Sequence, residues 1–320
     1  MGTLIRIIFY IETNPADKDK TKEKAEQVST AVFDKFAELN RVFSDYDSDS
    51  EVSQLCSRST EEYQKNNRCI PLPVSDDLFC VLKESKRIGE LSDGAFDISV
   101  GPLVRLWRRA KHQGELPKPE LSERQRSLTG LHLWHADEKN KTLLLEKSGM
   151  RLDFGGIAKG YAADEAVKTA LKLGITRILI DAGGDIRVGA APPADKPAEQ
   201  LTEKETKCWT VEAGGEFIQL ENAAVAGSGS TDKFIEIGGV RYSHIVNPKT
   251  GIGLLDSPLV YVIAPTAMEA DALASAISVL GAKKGIALID SQKNTAAKMI
   301  YSGDETKIFT SKEWHKVIRR

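Results

Sequence analysis

Apolar and polar residues follow one another along the chain in blocks whose period changes from two to about 3.6 and back. Leu4 to Glu12 is apolar and β-branched, which predicts a strand. Asn14 to Lys24 is polar and lysine-rich, a turn leading into a helix. From Ala25 to Phe43, Val28, Ala31, Val32, Phe36 and Leu39 recur at three- and four-residue steps, one face of an amphipathic helix. Ser50 or Asp49 caps a short helix through Leu55, Pro71 to Val74 is extended, and Ser75-Asp76-Asp77 caps a helix to about Ile88. Ser122 to Gly130 is a short helix. Leu131 to Trp134 and Thr142 to Glu146 pair around the polar turn Asp137 to Lys141.

The stretch from Met150 to Gly189 is the most informative. A short apolar strand carrying Asp153 ends in Gly155-Gly156. A helix follows with Ala163, Ala166, Val167, Ala170 and Leu171 on its apolar face, closed by Gly174. A strand from Thr176 to Ile180 then leads into Asp181-Ala182-Gly183-Gly184-Asp185. Ala191 to Lys207 is rich in Pro, Glu and Lys and reads as an exposed insertion. Two hairpins turn on Gly214-Gly215 and Gly238-Gly239, where glycine supplies the positive φ that a two-residue turn needs. Between them Ala224 to Thr231 reads as a glycine-serine loop. A strand from Leu259 to Ala264 precedes a helix from Ala267 to Leu280, with closing strands at Lys298 to Tyr301 and Ile308 to Phe309 and a tail element at Trp314 to Ile318.

Composition narrows the function classes. Lys plus Arg number 44 against 46 Asp plus Glu, so neither nucleic acid nor an anionic membrane is the main partner. No run approaches the roughly 20 apolar residues of a membrane span, no signal peptide is apparent in this numbering, and the compartment stays open. Cys56, Cys69, Cys80 and Cys208 have no CxxC spacing and read as free thiols, with a Cys69–Cys80 or Cys56–Cys69 bridge as the alternative.

Glycines beside a helix start let backbone groups approach a ligand, and a helix N-terminus favours an anion. With Lys159 adding a charge and Asp153 and Asp185 adding oxygens, the central stretch reads as a phosphate and metal cradle; the alternative is two tight turns that hold nothing. Tyr46, an aromatic in the polar run Phe43 to Glu51, is placed to stack on a planar ligand. Arg105, Arg108, Arg109 and Lys111 read as a solvated helix face, and His132 and His135 as surface histidines. Asp271 and Ser275 stand at i and i+4 on an otherwise apolar helix face. A carboxylate there needs a partner, and a divalent cation is one, against capping or exposure to solvent.

The ordered series MGT, FSDYDSDSEVSQL, SDGAFDISVGPLVRLW, LDFGGIAKGYAADEA, IDAGGDIRV, AVAGSGS, YSHIVNPKTG and DALASAISVLG covers nearly the whole chain. It resembles the FAD:protein FMN transferase family, also called ApbE or flavin-trafficking proteins. The resemblance implies one α+β domain over residues 1–320, with 191–207 as its insertion. Mixed, mostly antiparallel sheets would carry packed helices, with the flavin site between two subdomains. It implies a Mg²⁺-dependent enzyme that takes FAD, attaches FMN through its phosphate to a Thr or Ser of an acceptor protein and releases AMP. The acceptors would be flavin-bearing subunits of redox complexes, and membrane contact would come only through such a partner or an N-terminal anchor absent from this numbering.

Carried over by motif, the metal would be held by the Gly156 main-chain oxygen, Asp271 and Ser275, with the Ala274 carbonyl as a further donor. Met1, Tyr46, Ala95, Phe96, Asp97, Asp153, Lys159, His244 and Ile245 would line the FAD pocket. By chemistry, Lys159 stabilises charge on the pyrophosphate and His244 is the candidate base for the acceptor hydroxyl. Three positions depart from the family pattern: Ser275 stands for a threonine, Cys56 for an asparagine, and Ala226-Gly227-Ser228-Gly229 for a Thr-Ser-Gly loop. Two other functions share most of these residues: a carrier that holds FAD unchanged, and a Mg²⁺-dependent FAD pyrophosphatase.

Overall fold

The computed structural model describes residues 3–12, 17–193, 208–229, 234–255, 257–303 and 305–317. Strand β1 (Ile5–Phe9) is followed by α1 (Lys18–Phe43), which buries Val28, Val32, Phe36, Leu39 and Phe43 at the predicted spacing. Ser50 caps α2 (Glu51–Asn66), accepting a hydrogen bond from the Ser53 N–H. The helix continues well past Leu55 because Val52, Leu55, Cys56 and Ser59 extend its buried stripe. After β2 (Leu72–Pro73), Ser75 caps α3 (Asp76–Leu91). A single 3₁₀ turn at Ile98–Val100 leads into α4 (Gly101–Gln113), then α5 (Pro119–Arg126). Strands β3 (Trp134–Asp137) and β4 (Thr142–Leu145) pair, but the strand predicted at Leu131 to Trp134 is corrected: Leu131–Leu133 forms a 3₁₀ turn and the strand begins at Trp134; β4 also pairs with β2.

Met150 to Phe154 is extended chain without a ladder partner; its Asp153 N–H donates to the Ile98 carbonyl at 2.7 Å. The central helix α6 (Ala158–Lys172) buries Ala163, Ala166, Val167 and Ala170. Leu171, expected on that face, is exposed, since one residue past Ala170 turns it away from the core. Then come β5 (Ile178–Ala182), β6 (Asp185–Val188), β7 (Trp209–Ala213), β8 (Glu216–Leu220), β9 (Ala224–Ser228), β10 (Phe234–Ile237), β11 (Val240–Ser243) and β12 (Leu259–Ala264). Helix α7 (Ala267–Ser291) breaks at Gly281 (φ 75°), next to the predicted end at Leu280, and resumes. Strands β13 (Ala296–Tyr301) and β14 (Lys307–Thr310) and helix α8 (Trp314–Val317) close the chain.

The main sheet has seven strands in the order β1-β5-β6-β9-β12-β13-β14, and all its ladders are antiparallel. Its strands alternate. Ile178, Ile180, Ala224, Ala226, Val260 and Val262 join one core with α1, α6 and α7; Leu179, Val188, Val225 and Ile263 join another with the β7–β8 hairpin and Trp314. The predicted loop at Ala224 to Thr231 is therefore corrected: Ala224 to Ser228 is a central strand, its small side chains admitting α7 close to the sheet. Residues 230 and 231 lie outside the described residues, as do residues 194–207 of the expected insertion.

One further correction concerns α7. It has 25 residues and includes an 18-residue stretch of mean hydropathy 1.5, so by length and composition it could cross a membrane. Its apolarity has another physical cause: residues Ala270 to Ala274 and Ala276 to Ser278 are buried between α6 and the sheet. No disulfide joins Cys56, Cys69, Cys80 or Cys208.

Asp164, on α6, caps the start of α7. Its oxygens accept from the Ala267 and Met268 N–H groups at 3.0 and 2.9 Å, and Oδ1 pairs with Arg187 Nε at 3.1 Å. Asp164→Ala removes the carboxylate partner of the half-buried Arg187 and leaves two helix N–H groups uncapped, so it is expected to cost about 3 kcal/mol, read as a lower Tm. An unchanged Tm would show that water replaces the cap.

Candidate functional site

Lys159 occupies the first turn of α6, and its Nζ pairs with Asp185 Oδ2 and lies 3.4 Å from Asp271 Oδ2. The Gly160 N–H donates to the same Asp271 oxygen at 3.3 Å, and the Gly227 N–H to Asp185 Oδ1 at 3.3 Å. This meeting depends on Gly160. A Cβ there would overlap the Ala267 carbonyl oxygen and come within 2.7 Å of Met268 N, so only glycine lets α6 cross α7 this closely.

Asp185 and Asp271 are 1% and 2% exposed, and one ammonium serves both. Burial, then repulsion by Asp185, pushes the Asp271 carboxyl up to about 7 against the pull of Lys159. Burial likewise raises Asp185. Burial pulls Lys159 down, but Asp271 and Asp185 outweigh it and hold the ammonium above the ordinary lysine range. Two buried carboxylates competing for one cation leave the cluster one positive charge short.

Ser275 follows one turn after Asp271. A Cβ on Gly156 would lie 2.5 Å from Ser275 Oγ and 3.6 Å from Phe96 Cε2, so the Gly156 backbone seats against both residues. The Ala274 carbonyl accepts the Ser278 hydroxyl at 2.8 Å. Among the described residues no three His, Cys, Asp or Glu side chains gather around one point. One carboxylate, a hydroxyl and a glycine backbone are hard oxygen donors, and the missing positive charge suits a cation. They fit Mg²⁺, which is commonly held by one or two carboxylates and completed by phosphates and water.

The second group of predicted residues lies beyond Gly155. Asp153 Oδ1 accepts the Gly155 N–H at 2.8 Å, and its Oδ2 accepts from Arg108 Nη2 at 3.3 Å. Arg108 also pairs with Asp45 and lies over the Tyr46 ring, its Cζ 4.1 Å from the centroid. Tyr46 is 80% exposed. Sequence reasoning missed Arg108: on α4 it looks like its solvated neighbours Arg105 and Arg109, and only the neighbouring Asp45-Tyr46 pair hinted at a partner. Ala95, Phe96 and Asp97 are buried. Asp97 Oδ1 accepts from the Ser99 N–H, the Ser99 hydroxyl and Trp134 Nε1, so this carboxylate caps the 3₁₀ turn.

His244 and Ile245 follow β11, on a loop folded back through Leu254 N–H to the Ile245 carbonyl and a bridge between Val246 and Gly253. The loop is held by Trp107 Nε1 on the Gly251 carbonyl at 2.8 Å and by Lys249 on Asp93 at 2.6 Å, which ties it to the turn before Ala95. His244 is exposed and Ile245 half-buried. Met1 lies outside the described residues; Thr3 packs on Gly183, beside the turn that carries Asp185.

The profile of the ApbE family matches residues 1–300. The chain belongs to the ApbE family. It is 30% identical over 313 residues to the FAD:protein FMN transferase of Haemophilus influenzae, covering 95% of this chain and 85% of the relative. It is 28% identical over 314 residues to that of Vibrio cholerae, covering 97% and 88%. Among solved structures, a histidine-to-glycine variant of the Vibrio cholerae flavin transferase ApbE superposes with a TM-score of 0.80 at 27% identity, covering 99% of this chain and 96% of that one. The ApbE protein of Thermotoga maritima gives 0.80 at 26% identity, covering 100% and 97%.

Within this ApbE chain the three departures from the family pattern have definite places. Ser275 faces Gly156, Cys56 is buried in the core of α2, and Gly227 and Ser228 lie on β9, where Ser228 Oγ meets Ser278 Oγ at 3.1 Å.

Proposed function

We propose that this ApbE chain is an FAD:protein FMN transferase, one domain over residues 1–320, acting with Mg²⁺ and releasing AMP. The observation that carries the reading is the buried cluster of Lys159, Asp185 and Asp271, short of one positive charge and adjoining Ser275 and Gly156. It lies at one end of the Gly155-Gly156 segment, whose other end leads through Asp153 and Arg108 to Tyr46.

The acceptor hydroxyl oxygen attacks the FMN phosphorus. A P–O bond forms to the acceptor, the P–O bond to the AMP phosphate breaks, and its electron pair leaves with AMP. A bound Mg²⁺, held by Asp271, Ser275 and the Gly156 carbonyl, would neutralise charge on the pyrophosphate. Lys159 supplies a fixed positive charge beside it, and Asp185 holds that ammonium in place. His244, exposed on its loop, takes the hydroxyl proton. Tyr46 stacks on a planar ring of FAD, while Ala95, Phe96, Asp97, Asp153 and Ile245 enclose the rest of the dinucleotide. The acceptors are flavin-bearing subunits of redox complexes.

Incubation with FAD, Mg²⁺ and a threonine-bearing peptide, read by intact mass, tests the reading. One FMN gained by the peptide, and lost with chelator, is expected. FMN and AMP without adduct would establish a pyrophosphatase instead, and unchanged bound FAD a carrier. In the same assay His244→Ala is expected to slow transfer by about 10²- to 10⁴-fold while FAD binding persists. Undiminished transfer would assign the proton to another group.

A further inference from the structure

Arg108 touches both the aromatic and the carboxylate part of the second group. Its Cζ lies 4.1 Å from the Tyr46 ring centroid, one nitrogen pairs with Asp45, and the other lies 3.3 Å from Asp153 Oδ2. Asp153 in turn accepts the Gly155 N–H at 2.8 Å, and Gly156 rests on Ser275. Direct contacts thus run from Tyr46 to the Asp271-Ser275 face of α7.

Tyr46 stays 80% exposed even with Arg108 over its ring. An exposed tyrosine on a loop samples several rotamers, and a ligand that stacks on it must order it first. A guanidinium plane over one face removes that freedom and leaves the other face for a ring. The guanidinium charge is already engaged by Asp45 and Asp153, so Arg108 is not a spare cation for a phosphate. Its planar fork suits this double duty, whereas a lysine would supply only a point charge.

We propose that Arg108 is a positioning residue that backs the Tyr46 ring as a preformed shelf for a planar ring of FAD and, through Asp153, fixes the shelf's distance from Gly156 and Ser275. The inference rests on the reading of Tyr46 as part of the FAD pocket.

The test is an FAD titration followed by flavin fluorescence, which stacking on tyrosine quenches, with Arg108→Lys, Tyr46→Ala and the double variant. Arg108→Lys is expected to raise the Kd for FAD about tenfold and weaken the quenching, with the loss falling on KM for FAD rather than on kcat. The double variant is expected to bind no worse than Tyr46→Ala, since both changes remove one shelf. Unaltered affinity in Arg108→Lys, or losses that multiply in the double variant, would overturn the proposal. Asp45→Asn loosens Arg108 without touching the ring. It is expected to raise Kd in the same direction by a smaller factor, so it decides the matter if Arg108 variants fold poorly, and wild-type affinity there would also overturn it. FAD binding by the wild type that ignores all these changes sinks this inference alone, whereas no FAD binding by the wild type sinks the transferase reading with it.

Discussion

Asp271→Asn is expected to abolish metal-dependent flavin transfer while the protein remains folded. A metal at a phosphoryl centre supplies several kcal/mol of charge stabilisation, and each 1.4 kcal/mol is tenfold in rate, so the loss is about a thousandfold. The same variant has an opposite signature in stability. The Asp271 carboxyl is raised to about 7 in the folded protein by burial and by Asp185, well above its value in an unfolded chain, about 3.9. The folded state therefore binds that proton more tightly. Its contribution to stability is full below about pH 4 and is lost as pH rises through about 7. In chelator, the Tm of the wild type should fall between pH 5 and 8, and Asp271→Asn should flatten that fall. The competition with a proton also predicts that the Mg²⁺ concentration needed for half-maximal rate increases as pH drops below about 7. Transfer by Asp271→Asn within tenfold of the wild type would remove this residue from the metal end.

Gly160→Ala carries a large expected cost in stability. Glycine to alanine inside a helix ordinarily stabilises by about 1 kcal/mol. Here the new methyl would overlap the Ala267 carbonyl and sit within 2.7 Å of Met268 N, and the obstacle is backbone that cannot rotate aside. Overpacking of this kind costs about 3 kcal/mol or more, so the clash outweighs the propensity gain. The expected drop in Tm is about 5 °C, accompanied by weaker transfer because Lys159 moves with the helix. A Tm at or above that of the wild type would mean that α6 and α7 separate at no cost.

The parts of the fold that were legible in the sequence are those where one residue type has one physical use. The stripe of α1, the Ser50 and Ser75 caps and the two Gly-Gly hairpins all kept their predicted places. Strand β9 was not legible, because alanine, glycine and serine serve equally a loop and a strand pressed beneath a helix. Asp271 and Ser275 could be picked out from their spacing, and Lys159 from the glycines around it. That Lys159, Asp185 and Asp271 share one charge cluster could not be seen, since it depends on how α6 crosses α7. Asp164 was hidden in the same way: in sequence it is another acidic residue on an amphipathic helix, and its role appears only where the next helix begins. Arg108 differs from Arg105 and Arg109 only in what lies opposite it.

Lys159 and Asp271 stand 112 residues apart, and every contact between them waits for α7. During synthesis the N-terminal half, which carries Tyr46, Arg108 and Asp153, emerges long before its counterpart. Until α7 packs down, Lys159 and Asp185 have no second carboxylate beside them and Gly156 has no hydroxyl to rest against. The cradle is thus a late product of folding, and a chain cut short before α7 would lack both the Asp271 carboxylate and the Ser275 hydroxyl.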